Sequence, residues 1–130
     1  MIVVDSSVWI AYLRNADRDA VRKLRAIDTV KDQIVVGDLI LMEVAMGCRD
    51  ETIAARVLRD LQRFDIVPLA SPDIAIDAAR HYRALRRIGV TVRTGIDMLI
   101  GTFCIRGGHT LLHDDRDFSA MEQHLGLMVL

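Results

Sequence analysis

Cysteine is scarce in this chain: Cys48 and Cys104 are the only two in 130 residues, each within an apolar segment. Neither belongs to a CxxC or Cys/His spacing, so a thiolate zinc site is not expected and both thiols read as free and buried. Long hydrophobic runs are missing too. Every apolar stretch is interrupted well before the about 18 residues that a membrane span needs. "MIVV" runs straight into Asp5 without a basic leader segment, so we expect neither a spanning helix nor a signal peptide, and a cytoplasmic protein. Linkers, repeats and low-complexity segments are absent, and residues 1–130 are expected to form a single domain. With 52% apolar and 27% charged residues, the composition is globular rather than disordered. The net charge is −1, which gives no global attraction to nucleic acid.

Lysine is nearly missing as well, and here what remains is informative. Of seventeen basic residues only Lys23 and Lys31 are lysine; fifteen are arginine, the side chain that forks onto phosphate. Arg18, Arg22 and Arg25 share one segment of helical spacing, and Arg80, Arg83, Arg86 and Arg87 share another. Such clusters are either ordinary solvated helix faces or a basic rim suited to a polyanion. Arg86, Arg87 and Arg93 are the candidates for holding substrate.

The apolar pattern alternates between strand and helix. "MIVVD" reads as a buried strand, with Ser6 or Ser7 as the cap of a short helix "VWIAYLR". "QIVVG" is a second strand, and Asp38 is expected to cap the helix "LILMEVAMG". "DETIAARVLRDLQRF" is an amphipathic helix, and "DIVPLA" a third strand whose Pro68 argues for a short or edge position. "SPDIAIDAARHYRALRRIG" carries a Ser71 cap, Pro72 in its first turn and Gly89 as its stop. The apolar helix "TGIDMLIGTFCIRGG", the strand "HTLLHDD", the helix "DFSAMEQHLG" and a terminal strand "LMVL" follow. Apolar strands alternating with helices indicate a parallel sheet covered on both faces, with ligands bound beyond the carboxyl ends of the strands.

Acidic residues occupy conspicuous places in that pattern. "LLHDDRDF" puts Asp114, Asp115 and Asp117 within four positions of one another. Two carboxylates about 5 Å apart cost roughly 3 kcal/mol at an effective dielectric of about 20. Such a run is either a solvated turn or part of a cation site. Glu43 is the only charged residue in "LILMEVAMG", so it needs an arginine partner, a proton or a metal. Asp97, in the first turn of "GIDMLIGTFCI", is either a helix-dipole acid or a ligand. Asp5 and Asp115 follow strands, whereas Glu43 and Asp97 lie on helices that begin near strand ends, so all four can converge at one sheet edge. Converging carboxylates call for a hard cation, and an oxygen-only ligand set suits Mg²⁺ or Mn²⁺, as one ion or two. Metal-assisted phosphodiester hydrolysis is the chemistry that fits.

The order "VVDSS", "MEVAMG", "IDMLIG" and "LLHDDRDF" resembles the PIN-domain nucleases, most closely the VapC-type toxins of bacterial toxin–antitoxin pairs. The likeness extends over essentially the whole chain, including "HYRALRRIG". It implies a three-layer α/β/α fold with a five-stranded parallel sheet. It also implies a metal-dependent endoribonuclease that forms homodimers and is inhibited by a small VapB-type antitoxin. Asp5, Glu43, Asp97 and Asp115 match the family's four acids, and Asp117 is a nearby auxiliary acid and possible further metal ligand. Ser7 matches a small polar residue expected to steady water or phosphate. His113 departs from the family pattern, standing where a small hydroxyl residue is usual. Trp9, Tyr12 and Leu13 are either core, a dimer contact or an apolar groove for the antitoxin. A non-catalytic PIN-like binding module is the competing reading; such modules typically lose acids, and here all four are present. A response-regulator receiver needs a phosphorylatable Asp after its third strand and a later lysine, and "PLAS" with only early lysines argues against it.

Overall fold

The β-branched runs at Ile2–Val4 and Ile34–Gly37 are buried at every position. Strands must be so apolar when helices cover both faces of their sheet. A computed structural model, which describes residues 1–130, places five parallel strands in one sheet. These are β1 (Ile2–Val4), β2 (Ile34–Gly37), β3 (Asp65–Val67), β4 (Thr110–Leu112) and β5 (Met128–Val129), in the order β3-β2-β1-β4-β5. Val3 of the central strand lies in register with Val35 on one side and Leu111 on the other. The edge strands are more exposed. Pro68 directly follows the edge strand β3, where a missing ladder donor is tolerated.

Seven helices flank the sheet: α1 (Ser6–Leu13), α2 (Asp19–Ala26), α3 (Asp38–Met46), α4 (Glu51–Leu61), α5 (Pro72–Arg87), α6 (Gly95–Gly107) and α7 (Arg116–Leu125). The chain builds β1, β2 and β3 outward in one direction, then crosses back to place β4 and β5 beyond β1. Right-handed crossovers therefore set α1 to α4 on one face and α5 to α7 on the other, giving three α/β/α layers. Ile40 and Leu61 enter the core from the first group; Ile100, Phe118 and Met121 enter from the second. None of the helices is long and apolar enough to cross a membrane.

Several local expectations need correction. Helix α1 is capped by Asp5, not by a serine: Asp5 has extended backbone and its side chain accepts from Ser7 N. A carboxylate that ends a strand already lies within reach of the second helical N–H, so the serines fall inside the first turn. Gly37, not Asp38, is the cap residue of α3. Asp38 Oδ1 instead accepts from Leu39 N at 2.8 Å and Leu69 N at 3.0 Å, which ties the exit of β3 to the start of α3. Of the places open to Trp9 the structure shows core, as one of the readings had it: Trp9 is buried and packs on Phe64 and Tyr12, while Tyr12 and Leu13 remain on the surface. The Ser71 cap and the Gly89 stop, with φ of +80°, are as expected.

Gly37, at the junction of β2 and α3, leaves no room for a Cβ because the fully buried Leu69 side chain fills that space. Gly37→Ala is expected to cost about 1–3 kcal/mol through overpacking. Urea unfolding, monitored by circular dichroism, should show a correspondingly lower midpoint.

Candidate active site

Strand propagation reverses between β1 and β4, so the crevice of this sheet opens beyond the carboxyl ends of those two strands. Asp5 directly follows β1, and Asp115 lies three residues past the end of β4. Helix α6 begins at the same edge and contributes Asp97 from its first turn, while α3 contributes Glu43 from its middle. Asp5, Glu43, Asp97 and Asp115 line one cleft of about 330 Å³ together with Arg93 and Thr94. The four acids expected from the sequence are thus brought together.

The acids are set in place by local hydrogen bonds. Asp5 Oδ2 accepts from Ser7 N at 3.0 Å and from Ser7 Oγ at 2.5 Å. The same Ser7 hydroxyl accepts from Asp114 N at 3.1 Å, which links the loop after β4 to the loop after β1. Ser6 Oγ donates to Glu43 Oε1 at 3.4 Å. Thr94 caps α6, its Oγ1 accepting from Asp97 N at 3.2 Å. Asp115 caps α7 and its Oδ1 accepts from Asp117 N at 3.0 Å. Asp115 N in turn donates to His113 Nδ1 at 3.2 Å, and the His113 ring packs on Phe118. His113 is therefore packed and hydrogen-bonded.

Thr94 and Ser6 were not expected at the site; Ser6 was read only as a candidate helix cap. Thr94 had a readable signal, since "TGID" has the Thr-x-x-acid spacing of a helix start. Ser6 had none, because its partner Glu43 is distant in the chain. Asp114 points away from the cleft, but it is paired with Arg18 at 2.6 Å rather than simply solvated. Arg86 and Arg87 lie with Arg83 at the C-terminal end of α5, around a wholly cationic surface depression. Arg93 is placed quite differently. Its guanidinium bridges two acids, with Nε 2.9 Å from Asp117 Oδ2 and Nη2 3.1 Å from Asp115 Oδ1.

The electrostatics report crowding. Burial pushes the Asp97 carboxyl up to about 6; its Thr94 bond opposes the rise, while Asp5, Asp115 and Asp117 add repulsion. Burial also raises Asp5, against the bonds from Ser7, and raises Glu43, with further repulsion from Asp5 and Asp97. Oxygen atoms of Asp97, Asp115 and Asp117 all lie within 4.8 Å of one another. An all-oxygen set carrying this much unneutralised charge fits a hard divalent cation such as Mg²⁺ or Mn²⁺. It fits a soft-metal site poorly, since the one buried thiol, Cys104, is held neutral by burial with its pKa near 12.

Comparison with known proteins places this chain in a family. The PIN domain model matches residues 2–123. The chain belongs to the PIN-domain family. It is 35% identical to "VapC ribonuclease Mb1587" of Mycobacterium bovis over 93% of this chain and 91% of that protein. The same values hold for "Ribonuclease VapC11" of Mycobacterium tuberculosis. Among solved structures, VapBC2 from Rickettsia felis, bound to a promoter DNA fragment, superposes with a TM-score of 0.77 at 15% identity, over 100% of this chain and 98% of that one. Mycobacterium tuberculosis VapC20, described as a Sarcin-Ricin loop cleaving toxin, superposes with a TM-score of 0.69 at 18% identity, over 92% and 94%. These likenesses establish the PIN fold across the sheet and both helical layers.

A raised carboxyl pKa has a definite consequence for stability. Asp97 holds its proton up to about 6 when folded but only to the ordinary 3.8 when unfolded. The folded state therefore binds more protons across that interval, and the metal-free PIN domain is expected to lose stability as pH rises from 3.8 through about 6. Asp5 and Glu43 act in the same direction. Added Mg²⁺ or Mn²⁺ should raise the melting temperature more at about pH 7.5 than at about pH 5, where protons compete for the ligands. Thermal melts at both pH values, with metal and with chelator, measure this directly.

Proposed function

We propose that this PIN domain is a metal-dependent endoribonuclease, the toxin component of a type II toxin–antitoxin pair. The observation that carries the reading is the convergence of Asp5, Glu43, Asp97 and Asp115 on one cleft beyond β1 and β4. Two relatives named as ribonucleases, at 35% identity over nearly the full chain, support the activity. The reading takes residues 1–130 as one nuclease domain acting in the cytoplasm.

In this reading Asp5, Glu43, Asp97 and Asp115 hold one or two Mg²⁺ or Mn²⁺ ions. When bound, the cation supplies a Lewis acid that makes water nucleophilic near neutral pH and steadies charge on phosphate oxygen. The chain's own residues do the rest. Ser7 fixes the Asp5 carboxylate by donating to Oδ2, so it acts through Asp5. Helices α1, α6 and α7 begin at the cleft, so their positive dipole ends steady the carboxylates gathered there. Glu43 is half-buried with its pKa raised, which suits it to accept the proton of the attacking water. Arg86 and Arg87 stand ready for flanking phosphates.

The reading also names the partners. The substrate is RNA, the protein is a homodimer, and the inhibitor is a VapB-type antitoxin. Solved structures similar in fold include VapBC complexes from Rickettsia felis and nontypeable Haemophilus influenzae. A groove of about 500 Å³ between α1, α3 and α4 is lined by Ile10, Leu13, Val44 and Ile53 and bordered by Arg14 and Arg56. It offers an amphipathic antitoxin segment an apolar floor and a basic rim.

Cleavage of structured RNA by the wild type is expected to require Mg²⁺ or Mn²⁺ and to stop in chelator. Asp97→Asn should lower the rate by more than the about 10–100-fold typical of losing a residue behind the ligands. Gel-based cleavage assays decide it: chelator-resistant cutting, or a fully active Asp97→Asn, would sink the assignment.

A further inference from the structure

We propose that Asp117 is a positioning residue for Arg93: it holds that guanidinium at the mouth of the carboxylate cleft, where Arg93 grips the scissile phosphate, and does not itself ligate the cation. The proposal rests on the nuclease reading above and deepens it, giving Asp117, whose oxygen lies within 4.8 Å of those of Asp97 and Asp115, a role beside the ligands.

One oxygen of Asp117 serves both ends of a single residue. Asp117 Oδ2 accepts from Arg93 N at 3.3 Å and from Arg93 Nε at 2.9 Å. Backbone and guanidinium are fixed together, so the position of the charged head follows from Asp117. The two partners differ sharply in exposure: the Asp117 side chain is 10% exposed and that of Arg93 63%. A nearly buried acid bearing an exposed arginine is the layout of an anchor and its tool. Arg93 lines the cleft with Asp5, Glu43, Asp97 and Asp115, whereas Asp117 does not. Asp117 oxygen lies close to those of Asp97 and Asp115, but Arg93 is held to Asp117 through backbone N and Nε together and to Asp115 through Nη2 alone, so a cation displaces it more readily from Asp115.

The second contact of Arg93 shows what the anchor is for. Nη2 lies 3.1 Å and 3.4 Å from the two oxygens of Asp115. Asp115 is one of the four acids proposed to hold metal, and a bound cation competes with the guanidinium for it. With Asp115 engaged by a cation, Nε would stay on Asp117 while both Nη groups would be free. Four N–H donors then face the cleft in the planar fork that matches two phosphate oxygens. Arg93 thus has two states on one anchor: countercharge to Asp115 without metal, and phosphate clamp with it.

The test is a variant series read by Mn²⁺ affinity, using electron paramagnetic resonance with the metal alone, and by RNA cleavage with Mn²⁺ added. Arg93→Ala should bind Mn²⁺ several-fold more tightly, because the competing charge at Asp115 is gone, yet lose about 100-fold in kcat/KM, the scale of one oriented charge-stabilising donor. Its metal-free form should melt at lower temperature, since Asp115 loses its countercharge. Asp117→Ala should bind Mn²⁺ within about 2-fold of wild type and lose as much kcat/KM as Arg93→Ala, with no further loss in the double variant, as expected for groups acting as a unit. Asp117→Asn keeps an acceptor oxygen for Nε and should recover most of what alanine loses. If Asp117→Ala does not fold, Asp117→Asn decides alone. Weakening of Mn²⁺ binding by about 10-fold or more in Asp117→Asn would make Asp117 a ligand and overturn the proposal. Fully additive losses in the double variant would overturn it as well. A wild type that cuts no RNA would sink the nuclease reading instead, while the Mn²⁺ series still decides whether Asp117 is a ligand or an anchor.

Discussion

Mutual repulsion among carboxylates at one edge of a parallel sheet is the constraint around which this molecule is arranged. Asp5, Glu43 and Asp97 all have raised pKa values, chiefly from burial of the carboxylates and in part from other acids of the same cleft. Such a cluster is unfavourable for folding and is tolerated only where the surroundings oppose it. Part of that opposition is geometric. A parallel sheet brings every strand end, and the start of every helix that follows one, to the same edge. Asp5 and Asp115 are helix caps, and Asp97 and Asp117 lie in first turns. Four acids thus face the positive ends of helix dipoles.

The hydrogen bonds around the cleft stiffen it without neutralising it. Ser7, Ser6 and Thr94 supply or accept bonds that orient Asp5, Glu43 and α6, yet none carries charge. Arg93 is the cation lining the cleft, and it is spread across Asp115 and Asp117. Net negative charge therefore remains for a hard cation to meet. Kinship with the PIN-domain family and the physical character of the cleft agree on this point, although they rest on different observations.

Much of the fold was legible because its signals are local. Runs such as "IVV" and "IVVG" could only be buried strands, and the Ser71, Pro72 and Gly89 signals bracket α5 as expected. Pro68 marked an edge, and β3 is one. The caps were harder. Asp5 ends a strand and starts a helix at once, so propensity alone could not separate Asp5 from the serines beside it. Asp38 looked like a cap by residue type but bonds Leu69 N, a partner far along the chain. Trp9 was open to core, dimer contact or groove by pattern, and packing against Phe64 made it core.

The sequence by itself determined the alternation of strands and helices, the family and the identity of the four acids, because each depends on residue type and short-range spacing. Tertiary structure alone decided what those acids touch. The strand order β3-β2-β1-β4-β5 places the loops after β1 and β4 side by side, so Ser7 meets Asp114 and Arg18 pairs with Asp114. Arg93 illustrates the division most clearly. By composition it was one more arginine suited to phosphate, and only the packing of α6 against α7 put it on Asp117 and Asp115. Contacts between residues twenty or more positions apart depend on how layers pack, and no local pattern in the chain encodes that order.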